Sequence, residues 1–122
     1  MDRTFVGIGA VLALLGVALG AFGAHALQTR IPPERLNTYE VAVRYQMYHA
    51  LALVAVGWAT TRWQSGAITT AGWLFVAGTL IFSGAVYTLA LGGPRWMGAI
   101  APIGGMSLMA GWALLAWGVL RS

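Results

Sequence analysis

Cysteine is absent from the chain, and so is lysine. Without cysteine there is no disulfide, thiolate nucleophile, iron–sulfur cluster or zinc–thiolate site. Without lysine there is no Schiff base and no Walker-type phosphate lysine. Acid is almost as scarce, with Asp2, Glu34 and Glu40 the only carboxylate side chains. Phosphoryl transfer and two-carboxylate glycoside hydrolysis ordinarily use more acid than this. The cations are seven arginines, at positions 3, 30, 35, 44, 62, 95 and 121. They stand singly, without a basic stripe or an RNA-type aromatic motif, which argues against a nucleic-acid partner.

What fills the space is apolar. Hydrophobic residues make up 59% of the 122 positions, and the mean hydropathy is +0.76. A soluble domain is about one-quarter charged, and one of this size has too high a surface-to-volume ratio to hide so much apolar surface. The surrounding solvent is therefore lipid.

Phe5 to Leu27 is a charge-free run of about 34 Å at the helical rise, enough to cross a bilayer. Ala24-His25-Ala26 imitates a signal-peptidase site, but the run is too long for a signal core and Asp2 spoils the basic leader. It reads as helix 1, residues 5–27. Pro33 opens the next helix, with Glu34 favoured in its first turn. The apolar part from Met47 to Thr61 is too short to span alone. Helix 2 must recruit residues from Val41, behind an interfacial lead-in, and covers 33–61 in all. Arg44 then lies at the membrane boundary, paired with Glu40 one turn earlier or reaching a backbone carbonyl or headgroup. Helix 3 is 67–92. Helix 4 is 96–120, where Pro102 and Gly104-Gly105 predict a kink or local opening. The expected fold is all-α, one integral membrane domain (residues 1–122) built as a four-helix transmembrane bundle, with both termini on one side. Arginine counts on the two sides nearly tie. The orientation taken is cytoplasmic for the 1–2 and 3–4 loops and periplasmic for the termini.

Helices in lipid associate through close packing, for which small residues are suited. Gly9, Gly16 and Gly23 in helix 1 recur every seven residues, as do Gly104, Gly111 and Gly118 in helix 4. Gly78 continues the period in helix 3, and Gly16, Gly20 and Ala24 form a small-xxx-small run. These predict left-handed, small-angle contacts. A shift of 62 residues also places Gly16 on Gly78 and Leu27 on Leu89, a hint of two related hairpins.

Polar residues gather in the half of the membrane nearest the 1–2 and 3–4 loops. The candidate pocket comprises His25, Glu40, Arg44, Tyr45, Gln46, Tyr48, His49, Ser83 and Tyr87. His49 and Tyr45 are expected to point inward, with Tyr87 on their level or one turn away. Such a cluster is either a binding pocket or a hydrogen-bond network that fixes helix register. Trp58, Trp63, Trp73 and Trp117 line the other half as an interfacial belt. His25 and His49 invite a bis-histidine haem. Their depths inside the membrane, about 4–5 Å and about 12 Å, differ too much for one iron. No cofactor, metal or catalytic residue is expected.

Gly20-Ala-Phe-Gly-Ala-His25-Ala-Leu27, Tyr39-Glu-Val-Ala-Val-Arg44-Tyr-Gln-Met-Tyr-His49, Leu80-Ile-Phe-Ser83-Gly-Ala-Val-Tyr87 and Ala101-Pro-Ile-Gly-Gly105 together resemble the YgdD/YwdK-like small inner-membrane proteins. The resemblance runs along essentially the whole chain. It implies four transmembrane helices and a bacterial cytoplasmic membrane, and it carries no known activity. The expectation is a non-enzymatic accessory, assembly or lipid-interacting component, whose partners are the bilayer and another membrane complex or a second copy. The alternative is a small-solute transporter or channel working as a homo-oligomer. An enzyme acting on a lipid or quinone, with His49 or His25 as base, ranks below both, because no orienting carboxylate is evident beyond Glu40.

Overall fold

A computed structural model describes residues 2–122. Helix α1 is Asp2–Phe22 and runs directly into a π-helical turn, Gly23–Leu27. Helix α2 is Pro33–Arg62, α3 is Gly66–Ala90 and α4 is Met97–Leu120. There is no strand among the described residues.

Local chemistry sets the boundaries. Pro32 is extended, as a residue before proline must be, and Pro33 starts α2 where its missing N–H costs nothing. The Ser65 hydroxyl accepts the Ala67 amide at 3.2 Å and caps α3. The expected end of helix 3 at residue 92 is corrected to Ala90. Gly92 turns the chain with φ of 92°, a left-handed conformation suited to glycine, and Gly93 folds back onto the Thr88 carbonyl. The expected opening of helix 4 is also corrected, because α4 is continuous through Pro102 and Gly104-Gly105. Pro102 lies beyond the first turn, so the Gly98 carbonyl loses its usual i+4 donor, but the ring faces outward and the helix continues. The irregular turn falls in α1 instead.

Three helices are long and apolar enough to cross a membrane: α1 with its π turn, α3 and α4. Helix α2 is more polar, but it lies antiparallel along the length of α1. A β-carbon at Gly57 would meet Val6, one at Gly9 would meet Leu53, and one at Gly23 would meet Tyr39. It therefore returns the chain across the membrane to the start of α3. At 30 residues it is about 45 Å long and projects beyond the hydrocarbon. The lead-in is simply its first turns.

Sequential helices are packing neighbours, while α1 and α4 do not pack along each other. The main core joins Phe5, Leu53, Val56, Ile68, Phe75 and Leu108. A smaller core of Leu27, Tyr39 and Ala90 closes the loop end. At the opposite end Arg62 lies over Trp63 and Arg121 over Trp117, at 5.6 and 4.9 Å.

The glycines decide how closely the hairpins close. In the first, Gly9 faces Leu53, Gly16 faces Gln46 and Met47, Gly20 faces Val43 and Gly23 faces Tyr39. In the second, Gly78 faces Leu108, Gly104 faces Phe82, Gly111 faces Phe75 and Gly118 faces Ile68. The facing pairs 9–53, 16–46 and 23–39 share one antiparallel register, as do 78–108, 75–111 and 68–118. Adding 62 to both members of a pair carries the first register onto the second. One cross-helix hydrogen bond in each hairpin lies close to this shift: Gln46 donates to the Leu12 carbonyl and Ser107 to the Leu74 carbonyl, with the acceptors 62 residues apart and the donors 61. The two hairpins share one packing register.

These contacts differ in what can yield. A β-carbon at Gly104 would strike the Phe82 backbone nitrogen, whereas one at Gly16 meets the flexible end of Met47. At Gly98 it meets open space. Gly104→Ala is predicted to lose about 1–3 kcal/mol, with Gly16→Ala losing less and Gly98→Ala neutral or better. Reversible unfolding in mild detergent checks the order; equal effects at all three would refute this packing.

Candidate functional site

The polar residues of the loop-side half divide into two separate networks. The first is centred on Gln46, which is buried in α2 and uses both ends of its amide. Its Nε2 donates to the Leu12 carbonyl at 2.8 Å, and its Oε1 accepts the Tyr87 hydroxyl at 2.6 Å. One side chain thus connects α1, α2 and α3. Beside it, the Ser83 hydroxyl donates to the Ala42 carbonyl at 3.0 Å. Tyr39 completes the group. Its hydroxyl donates to the Leu19 carbonyl at 2.6 Å, and its ring meets Tyr87 edge-on at 5.3 Å. The ring also lies against Gly23, the first residue of the π turn, where a β-carbon would come within 2.5 Å of Cε1. A side chain at position 23 would expel Tyr39 from its site.

The second network is centred on His49. Its Nδ1 lies 2.8 Å from the Tyr45 carbonyl, which can only accept, so Nδ1 carries the proton. Its Nε2 lies 3.0 Å from the indole nitrogen of Trp112, which can only donate, so Nε2 accepts. The imidazole is therefore neutral and has both nitrogens committed. Phe75 and Trp112 pack on it with ring centroids at 5.5 and 5.8 Å. A groove of about 270 Å³ between α2 and α4 passes over this cluster. His49 is only 5% exposed to it.

Several sequence expectations are corrected. His49 does point into the bundle, toward α3 and α4, but Tyr87 joins Gln46 rather than His49. The reason is depth, since His49 is level with Phe75, about 18 Å along α3 from Tyr87. Tyr45 points largely outward, 39% exposed, with its ring 5.0 Å from Phe82; only its carbonyl serves the network. Tyr48 is also an outer residue, at 54% exposure. His25 stands exposed on the π turn, because the wider turn places Gly23 and Leu27 inward. Glu40 and Arg44 are exposed and form no ion pair with each other. At the headgroup level both charges are solvated, so little free energy favours holding them together.

Sequence reasoning missed Trp112, Tyr39 and Thr79. Trp112 carried a usable signal, because it lies in the middle of α4 rather than at an end where belt tryptophans sit. Tyr39, in the first turns of α2, is 2% exposed. Among the described residues, no three His, Asp or Glu side chains converge as a metal site would require.

Comparison with known proteins adds the following. The family model described as "Protein of unknown function (DUF423)" matches residues 19–105. The UPF0382 membrane protein YwdK of Bacillus subtilis is 42% identical over 114 residues, 93% of each chain. The UPF0382 membrane protein SH2409 of Staphylococcus haemolyticus is 42% identical over 113 residues, 93% of this chain and 92% of its own. The UPF0382 membrane protein SAUSA300_0565 of Staphylococcus aureus is 43% identical over the same span of 113 residues. No solved structure matches.

The Gln46–Tyr87 bond is predicted to couple the two residues. Tyr87→Phe and Gln46→Leu each leave a buried polar group unpaired, whereas the double substitution removes both sides of the bond. A double-mutant cycle in detergent should give a coupling of about 0.6 kcal/mol and no more than about 1.7 kcal/mol. Strict additivity would show that the bond contributes nothing.

Proposed function

We propose, for a chain that belongs to the DUF423 family of membrane proteins, a non-enzymatic role as a small accessory, assembly or lipid-interacting component of the bacterial cytoplasmic membrane. One observation carries the reading: His49, the imidazole buried within the bundle, has both nitrogens committed to structural hydrogen bonds. A general base must reach a substrate proton and is usually oriented by an acidic partner. Glu40, the nearest carboxylate along α2, is exposed more than two turns away. The transport alternative drew on the polar half of the bundle and on a break at Pro102, and the continuous α4 withdraws the second support.

The partners we infer are lipid and either another membrane complex or a second copy, meeting the outward faces of α1 and α4. The orientation we infer has the α1–α2 and α3–α4 loops in the cytoplasm, with Arg30, Arg35 and Arg95 there. The cysteine-free sequence makes this simple to check. In protoplasts or spheroplasts, an impermeant maleimide should label Gln64→Cys. It should label Gln28→Cys only after lysis. The reverse pattern would invert the assignment.

His49→Gln tests the role itself, because an amide offers both donor and acceptor groups but cannot act as a base near neutral pH. His49→Gln is predicted to accumulate in the membrane and to complement a deletion strain. His49→Ala, which leaves the Trp112 indole unpaired, should be less stable by about 1–3 kcal/mol. A His49→Gln protein that folds like wild type yet fails to complement would point to imidazole chemistry and overturn the proposal.

A further inference from the structure

Helices α1 and α3 touch at one end and part toward the other. At the terminal end, the Phe5 ring fits against Gly72 and meets Trp73 edge-on at 5.1 Å. Toward the loop end a cleft of about 310 Å³ opens between them. Leu12, Leu15 and Leu19 form one wall, Leu80 and Gly84 the other, and Gln46 of α2 lies in the floor. No charged side chain lines it.

The floor holds an unmatched polar group. Thr79 lines the cleft and is 2% exposed. Its hydroxyl is the one buried side-chain oxygen or nitrogen among the described residues without a hydrogen-bond partner. The neighbouring hydroxyls are already committed as donors, Tyr87 to Gln46 and Ser83 to the Ala42 carbonyl. In a bilayer no water is at hand to compensate an orphan group. A helical threonine has two accessible χ1 rotamers, about 120° apart, and binding requires the one that presents Oγ1 to the cleft.

Depth and charge select the occupant. Thr79 lies eleven residues before Ala90, about 16 Å from that end, which places it near the middle of a hydrocarbon layer about 30 Å thick. A phosphate-bearing headgroup is too costly to bring there. Glycerol esters are held near the surface by their polar backbone. An uncharged ring bearing a carbonyl, carried on an apolar tail, reaches this depth and offers the acceptor that Thr79 lacks. The volume accommodates such a ring while the tail remains in the bilayer.

We propose that the α1–α3 cleft binds an uncharged lipid of the quinone class, with a carbonyl oxygen accepting a hydrogen bond from Thr79. The proposal concerns binding alone and deepens the lipid-interacting reading, on which it rests. The test uses the full-length protein in nanodiscs with a short-tailed benzoquinone carrying a photoreactive azide. Saturable labelling is expected on residues 12–19 or 79–87. Thr79→Val should weaken binding by about 3- to 10-fold, the span of one hydrogen bond, with thermal stability unchanged or raised. Gly84→Phe should abolish labelling, and its melting temperature in the same nanodiscs should stay near that of the wild type, since a β-carbon there meets no neighbouring atom within 4 Å. Labelling elsewhere, no saturable labelling, unchanged binding by Thr79→Val, or equal competition by a diacylglycerol would each overturn the proposal. None of these results bears on His49→Gln complementation, so the two readings fail separately.

Discussion

Gln46 imposes the constraint around which the bundle is arranged. A primary amide inside hydrocarbon must have its donor and acceptor answered by protein, because lipid answers neither. Its two partners, the Leu12 carbonyl and the Tyr87 hydroxyl, lie on different helices. Satisfying the amide therefore fixes the rotation of α1, α2 and α3 together. Once α1 is set, Gly16 and Gly23 must lie against Met47 and Tyr39, leaving no room for larger side chains. Once α3 is set, Ser83 comes within reach of the Ala42 carbonyl. Apolar packing alone tolerates sliding of one helix along another; a buried amide does not.

His49 performs the same service for the other side of α2. The bond from the Trp112 indole ties α2 to α4, which otherwise meets mainly α3. The two networks lie at different depths and hold different helices. A chain with so few polar side chains thereby uses them as registration points. The exposed charges, Glu40 and Arg44, remain at the surface where solvation is cheap.

The sequence disclosed most of this architecture through periodicities that have direct physical meaning. The seven-residue spacing of Gly9, Gly16 and Gly23, and of Gly104, Gly111 and Gly118, follows the faces along which the hairpins close. The short apolar run after Gln46 required helix 2 to begin earlier, and it does, at Pro33. The partners of individual polar groups were less legible. A shared half of the membrane placed His25 and His49 in one cluster, but one faces outward on a π turn and the other faces α4. Rotation about the helix axis decides such questions. A π turn shifts that rotation for every residue after it, and no residue pattern in Gly23–Leu27 announced one. Likewise Glu40 and Arg44 have favourable spacing for an ion pair, but spacing cannot register the competition from water.

The repeated register of the two hairpins bears on how the chain enters a membrane. Helix α2 is too polar to partition into lipid by itself, since it brings an amide and an imidazole with it. As a hairpin with α1, it arrives with the Gln46 donor already covered by Leu12 and its small residues already matched. The second hairpin is matched in the same way through Ser107 and Leu74. The natural unit of insertion is then the pair rather than the single helix. Docking of the second pair supplies the Tyr87 and Trp112 donors that complete the first, so release from the insertion machinery would coincide with closure of the polar core.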